Sequence, residues 1–236
     1  MLNLPGGDAQ SGAEYSIKAF AFYESDYFLE NDNYKCNFKN VKKIGDYAFA
    51  EAYTMSTLIF GDALNELGVG VFSGFRGSSY RDVQIDFSSC VNLTYIPENA
   101  FFQTLEKIIL PSTIDHIGKE AFAGTFFDKI KFNGSQPSTI DDGAFKDIHI
   151  LDSARMNIRV FSILLANVKT IGSEAFANYK FPGDLEIPEC CSFIGENAFS
   201  KKTKLKVKPG SYAESWAQEN GYEYDNGVKP DLSWLN

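Results

Sequence analysis

The sequence reads Ile117-Gly118-Lys119-Glu120-Ala121-Phe122 near the middle of the chain, and this six-residue motif decides the fold. The motif consists of an aliphatic residue, usually Gly, two variable residues, a small residue and Phe. Six further copies begin at Ile44, Leu67, Ile96, Ile140, Ile171 and Ile194. Phe is present in all seven copies and Ala precedes it in six, so chance does not account for the pattern.

The spacing of the motif indicates a repeat protein. Consecutive motif Phe residues are separated by 23, 29, 21, 23, 31 and 23 positions. A period of roughly 20–29 residues is typical of leucine-rich repeats. The two longest spacings then correspond to coils that carry insertions.

A second element lies between the motif copies, as a short run of alternating apolar residues. The clearest run is Leu105-Glu106-Lys107-Ile108-Ile109-Leu110-Pro111. Period-two alternation predicts a strand, and a following Pro or Gly ends it. Comparable runs occupy 58–60, 83–87, 130–132, 185–187 and 205–207.

These two elements predict a leucine-rich-repeat solenoid, a β-rich right-handed superhelix of about seven coils. We expect a parallel sheet, with short helical or irregular return segments, because stacked coils cover each other's apolar faces. The motif Phe residues should form an aromatic ladder inside the solenoid. The Gly after the aliphatic residue is expected to supply a turn with positive φ.

The ends of a solenoid need caps, because the terminal coils would otherwise expose the core. Residues 1–43 contain no recognised motif copy and are predicted to form an N-terminal segment and cap. Residues 44–210 form the solenoid, and 211–236 a capping helix and tail. A capping box, Ser211 to Glu214, predicts a helix at about 211–220 that places Trp216 over the last coil.

The four cysteines match no metal-binding or redox spacing. Cys190 and Cys191 are neighbours, which is poor geometry for a disulfide between them. The repeat register predicts that Cys191 lies in the core and Cys190 faces outward.

Composition and motifs argue against catalysis and nucleic-acid binding. The net charge of −9 would repel a phosphate backbone. No apolar run is long enough to span a membrane, and the N-terminus lacks a signal-peptide pattern. His116, expected in a solvated turn, and His149 have no ligand spacing for zinc, and Asp141, Asp142 and Asp147 lack the calcium-loop spacing. We therefore predict a protein that is not an enzyme and needs no cofactor or metal.

The outward side chains of the predicted strands form the candidate binding face. Lys107, Lys129 and Lys131 should stack as a basic strip, while Lys204 and Lys206 should lie beside Asp184 and Glu186. The candidate residues are Lys107, Ile109, Lys129, Lys131, Asp184, Glu186, Lys204 and Lys206. A solvated sheet face without a partner remains the plainer interpretation.

The pattern from Leu105 to Phe122 resembles the BspA-type leucine-rich repeat of bacterial surface proteins. The ending from Gly210 to Gly221 is similar to endings in that family, and the resemblance covers roughly residues 41–224. It implies an extracellular or cell-surface protein with an adhesive function, and no catalytic residues. Two alternatives stay open from the sequence: the protein remains inside the cell, or its export signal is not part of this sequence.

Three functions remain open from the sequence. The first is a protein-binding or adhesion module whose partner is a host or bacterial surface protein. The second is a glycan-binding surface protein, for which the N-terminal aromatics (Tyr15, Phe20, Phe22, Tyr23, Tyr27 and Phe28) are the candidate. The third is a structural spacer within a larger surface protein.

Overall fold

The computed structural model describes residues 14–25, 35–54, 56–77, 83–126, 129–150 and 158–228. In chain order the strands are β1 (Tyr15–Ile17), β2 (Lys35–Phe38), β3 (Val41–Ile44), β4 (Tyr53–Thr54), β5 (Thr57–Phe60), β6 (Glu66–Leu67), β7 (Arg76–Gly77), β8 (Gln84–Asp86), β9 (Tyr95–Ile96), β10 (Lys107–Ile109), β11 (His116–Ile117), β12 (Ile130–Lys131), β13 (Thr139–Ile140), β14 (Thr170–Ile171), β15 (Leu185–Glu186), β16 (Phe193–Ile194), β17 (Leu205–Lys206) and β18 (Tyr224–Asp225). The helices are α1 (Ile158–Leu165) and α2 (Tyr212–Glu219).

The chain forms a parallel solenoid, as predicted. Every strand pair in the described residues is parallel, and partners come from successive coils. One line of strands, the front sheet, has the order β2-β5-β8-β10-β12 and resumes as β15-β17-β18. A second line, the side sheet, contains β1-β3-β6 and β9-β11-β13-β14-β16.

The motif Phe residues form the predicted ladder through the core. Phe101 stacks on Phe122 with ring centroids 5.2 Å apart, and Phe122 stacks on Phe145 at 5.3 Å. The backbone N–H of each motif Phe donates to the carbonyl of the residue before the next Phe, as in Phe101 to Ala121. The small residue therefore lets successive backbones approach to hydrogen-bonding distance.

A second aromatic ladder runs behind the front sheet. Phe38, Phe60 and Phe87 stack at 5.2 and 4.9 Å. Their rings meet the motif Phe rings edge-to-face, with Phe60 and Phe72 at 6.2 Å and 72°. Stacked and edge-to-face pairs are the arrangements that the ring quadrupole favours, so the two ladders stabilise each other.

The prediction that residues 13–40 carry no motif copy was wrong. β1 pairs with β3, which places Ile17 beside Ile44. Phe22 stacks on Phe49 with centroids 4.9 Å apart and planes within 15°. The stretch from Ile17 to Phe22 is thus an eighth copy, in which Lys18 takes the place of Gly.

The role expected for the motif glycines was also wrong. The positive φ angles fall two residues later, for example at Tyr47 (52°) and Glu120 (52°). The glycines are needed for close approach between coils instead: a Cβ on Gly195 would lie 2.3 Å from the backbone N of Ser173. A Cβ on Gly68 or on Gly172 would likewise lie 2.3 Å from a backbone N of the preceding coil.

The front sheet is interrupted in one coil, where a helix replaces the strand. α1 occupies the position between β12 and β15, and Asn167 just after it hydrogen-bonds to Gln136 of the preceding coil. Phe161, Leu164 and Leu165 of α1 are buried and take the place of inward strand residues. The front sheet is therefore split at this coil, because the helix buries its apolar stripe in the same core.

The C-terminal helix begins as the capping box predicts. Ser211 Oγ accepts a hydrogen bond from the Glu214 backbone N–H at 3.2 Å. Glu214 reaches back to the N–H of Gly210 at 2.6 Å. Trp216 packs edge-to-face on Phe199, the last motif Phe, at 6.2 Å, so α2 covers that end of the ladder.

Candidate functional site

The outward side chains of the front sheet and of α1 form one surface, which we call the front face. Residues 35, 57, 84, 107 and 129 lie in one column, and residues 37, 59, 86, 109 and 131 in the next. The columns arise because side chains alternate along a strand while the parallel register keeps equal positions aligned. Equivalent positions of successive coils therefore form regular columns of side chains on the surface.

The predicted basic strip is present in part. Lys107 and Lys129 share one column, whereas Lys131 lies in the neighbouring column beside Ile109. Ile109 is half-buried between Asp86 and Lys131. Lys129 Nζ donates a hydrogen bond to the Leu105 carbonyl of the preceding coil.

A further lysine, Lys35, belongs to this surface and was not among the residues predicted from the sequence. Lys35 begins β2 and is paired with Thr57, in the column that also contains Lys107. The alternation of Lys35, Cys36, Asn37 and Phe38 was the available signal. We call Lys35, Lys107, Lys129 and Lys131 the basic patch; Asp86 is the acidic side chain among the outward positions of these five strands.

The second predicted group lies on the same face, on the other side of α1. Lys204 Nζ lies 3.8 Å from Asp184 and 3.5 Å from Glu223. Lys206 is in register between Glu186 and Asp225. We call Asp184, Glu186, Glu223 and Asp225 the acidic patch, in which four carboxylates outnumber the two lysines.

α1 separates the two patches and exposes apolar side chains. Val160 is 40% exposed and Ile163 is 47% exposed, while the next residues on the helix are buried. The two exposed residues are three positions apart, so they lie on the same side of the helix. The front face therefore has a basic part, an apolar centre and an acidic part.

An exposed aromatic cluster lies near the first coils, on the turn side of the solenoid. Phe20 is 58% exposed and stacks on Tyr47 at 5.5 Å, and Tyr23 meets Phe20 edge-to-face at 5.7 Å. The Glu24 carboxylate raises the pKa of Tyr23 through a side-chain hydrogen bond. Phe22, also a predicted glycan contact, is buried in the ladder, and Tyr27 and Phe28 lie outside the described residues.

A shallow groove of about 430 Å³ continues along the turn side from this cluster. Glu51 lies at one end and Asp147 at the other, and Gly74 and Gly124 leave gaps between them. Its lining also includes the exposed side chains of Leu105 and His149. Between the two carboxylates the lining contains both polar and apolar side chains, namely Arg76, Gln103, Leu105 and Phe126.

The two histidines do not form a metal site. His116 lies on strand β11, not in the turn expected from the sequence, and its Nε2 is 2.8 Å from Asp141 Oδ2 of the next coil. Its ring also lies 4.8 Å from that of Tyr95. Among the residues that the structure describes, no group of three His, Cys, Asp or Glu could hold a metal ion.

The thiols lie where the repeat register places them. Cys191 is buried, and burial raises its pKa to about 11. Cys190 is exposed, and its Sγ donates to the Val168 carbonyl at 3.4 Å. All four cysteines are free, so no disulfide supports the solenoid.

The stacked parallel coils, the repeated Phe ladder and the array of outward side chains define a leucine-rich-repeat solenoid. The family model described as BspA type leucine rich repeat region matches six copies, over residues 15–152 and 75–206, so the chain belongs to this family. Neither a curated protein nor a solved structure matches the chain. No helix within the described ranges is long and apolar enough to cross a membrane.

Membership of this family assigns the chain to a general class, that of repeat-built modules for protein interaction. Solenoids of this type present an extended surface made of equivalent positions in successive coils. They are typically binding scaffolds that carry no catalytic machinery, and the family is associated with surface proteins.

Proposed function

We propose that the chain is a non-enzymatic adhesion module of the cell surface, which binds a protein partner through the front face. The observation that supports this most strongly is the basic patch on a protein whose net charge is −9. Lys35, Lys107, Lys129 and Lys131 project from three of the five adjacent strands, β2, β10 and β12. A local charge opposite to that of the whole molecule steers a complementary partner into one orientation.

The chemistry of this patch specifies an acidic partner surface. Half-buried Ile59 and Ile109 lie between the lysine-bearing positions and provide apolar contact once water is displaced. A rim of charge around such contacts is the usual composition of a protein interface. The partner is therefore a protein with carboxylate groups around a small apolar surface.

A binding array tests this proposal. The purified chain is applied to extracellular-matrix proteins, bacterial surface proteins and complex glycans at low and at high salt. We expect a protein hit that weakens as salt rises, because exposed charges are screened beyond about 10 Å at 0.1 M. A protein hit that does not depend on salt would contradict the role of the basic patch.

Glycan binding is the second candidate, supported by the exposed aromatic cluster. Stacked Phe20 and Tyr47 offer a flat apolar platform, and Glu24 and Glu51 supply acceptors for hydroxyl groups beside it. The adjoining groove gives room for a chain of several sugar units. A glycan hit that is lost in Phe20→Ala but kept in Lys129→Glu would favour this function over the first.

A structural spacer is the third candidate. This function would be favoured if the purified chain is folded but binds nothing on the array.

A further inference from the structure

The two charged patches of the front face lie on either side of α1. β12 is the front-sheet strand of the coil before α1, and β15 is that of the coil after it. α1 packs against β15. Lys129 and Lys131 flank Ile130 on β12, and Asp184 and Glu186 flank Leu185 on β15.

Ile130 and Leu185 are equivalent positions, since both are buried strand residues at the same place in their coils. Consequently Lys129 and Asp184 occupy the same column of the front face, as do Lys131 and Glu186. The two flanks of α1 thus carry opposite charges at identical positions. No other pair of strands at equal distance from α1 is arranged in this way.

This arrangement is self-complementary under a two-fold rotation. An axis along the strand direction through α1 reverses the solenoid axis and keeps each column opposite itself. A second copy related by this axis places its Asp184 opposite Lys129 and its Glu186 opposite Lys131. Because the contact is isologous, the same two pairs occur again on the other side of the axis.

In this dimer the exposed apolar side of α1 would lie near the same axis. Val160 and Ile163 of one copy would meet those of the other, at the 8–10 Å separation usual for packed helices. Apolar contact at the centre with charged pairs around it matches the anatomy of protein interfaces. Long lysine and glutamate side chains can span the space that the protruding helices leave between the strands.

The more distant pairs of strands are less favourable. Lys107 would face Lys204, whose charge is compensated in its own chain by Glu223 at 3.5 Å. Asp86 would face Asp225, which is a pair of like charges. Charge complementarity is therefore concentrated in the coils adjacent to α1, where the helices bring the copies closest.

We propose that the acidic protein bound by the basic patch is a second copy of this chain, in an antiparallel dimer centred on α1. The proposal rests on the proposed function, since it names the partner of the same patch. It makes the module homotypic: chains presented on two surfaces would join them through their front faces.

A charge-exchange experiment tests the dimer. Sedimentation equilibrium is measured for the native chain, for Lys129→Glu with Lys131→Glu, and for Asp184→Lys with Glu186→Lys. We expect a native dimer, and a dimer dissociation constant raised at least about tenfold in each double variant, because like charges then face each other. Mixing the two double variants should restore association close to the native level, as a heterodimer.

Two further variants separate the interface from folding. Ile163→Asp should dissociate the dimer and leave the melting temperature of the monomer almost unchanged, because Ile163 is exposed. Lys180→Glu with Lys202→Glu makes the same change in net charge at exposed residues outside the strands of the front sheet and should leave the dimer intact. Circular dichroism confirms that each variant is folded.

Several results would overturn the dimer. They are a native chain that stays monomeric up to several hundred micromolar, double variants that associate like the native chain, and folded double variants whose mixture stays monomeric. Asp184→Lys with Glu186→Lys retains the basic patch, so it should still bind an unrelated acidic protein. A salt-sensitive array hit for this variant, together with a monomeric native chain, would therefore reject the dimer and leave the proposed function standing.

Discussion

The ring of Phe72 lies parallel to that of Phe101 within 1°, with centroids 5.6 Å apart, although 29 residues separate them. Phe145 and Phe176, which are 31 residues apart, stack equally well at 5.1 Å and 10°. Coils of 21 or 23 residues give the same geometry. Insertions are therefore accommodated outside the ladder, and the stacked motif Phe residues keep the coils in register.

The ladder should carry a large part of the stability. Phe101 is fully buried and contacts rings above, below and beside it. We expect Phe101→Ala to lower the free energy of unfolding by about 3–5 kcal/mol, through lost burial and a cavity. The neighbouring Phe102 is only half-buried, so Phe102→Ala is the matched control and should cost clearly less in urea denaturation. Equal losses for both variants would contradict the ladder account.

Close approach between coils should make the motif glycines intolerant of a methyl group. A Cβ on Gly195 would clash with the backbone of Ser173 and Gly172, so Gly195→Ala should destabilise the chain by about 1–3 kcal/mol. Gly183 is the control, because its Cβ would meet Ile158 at an ordinary 3.7 Å. Thermal unfolding should separate the two variants. A Gly195→Ala chain as stable as Gly183→Ala would refute this role.

The capping box should make the C-terminal end sensitive to acid. Hydrogen bonds from Asn226 and from the Gly210 N–H lower the pKa of Glu214. A lowered carboxyl pKa contributes stability above the usual glutamate pKa, and this contribution is lost as the pH falls through the lowered value.

We therefore expect Glu214→Ala to have a lower melting temperature than the native chain at pH 7. The gap between the two melting temperatures should narrow as the pH falls below about 4. Glu219→Ala, at the other end of α2, is the control whose gap should stay constant. A gap for Glu214→Ala that is constant across this range would count against the capping contacts.

Thiol labelling should distinguish Cys190 from the other three cysteines. Burial raises the pKa of Cys90 to about 12, and it also raises that of Cys191 and Cys36. These buried thiols stay protonated and inaccessible at pH 8, so one thiol should react with an aromatic disulfide reagent before unfolding and all four after it. Cys190→Ser should abolish the fast reaction. Two or more fast thiols in the native chain would show that the register is wrong.

The repeat made the fold predictable, because one motif fixes the strand, the turn and the core position of every coil. The positions of Phe101, Leu110 and Cys191 followed from spacing alone. No strand run was found between 133 and 184, and α1 was missed although Ile158, Phe161 and Leu165 have helical spacing. The eighth coil was missed because Lys18 replaces Gly, which hid the Ile17, Ala21 and Phe22 that remain.

The candidate face was predicted only in part. Strand alternation identified Lys107, Lys129 and Lys131 as outward residues, and parallel pairing placed them near each other. The charge balance could not be predicted, since it depends on Glu223 and Asp225, which lie on a strand that follows the capping helix. The ion pairs of Lys204 are therefore visible only in three dimensions.

The most direct test of the front face as a binding surface compares two affinities for the same partner, which is either a second copy of the chain or a protein found on the array. One is the affinity of the native chain, and the other is that of the double variant Lys129→Glu plus Lys131→Glu. We predict at least about a tenfold loss of affinity, since the variant reverses two of the four charges of the basic patch. Lys180→Glu plus Lys202→Glu should bind like the native chain. Unchanged affinity in the first double variant, with folding intact, would contradict the front face as the binding surface.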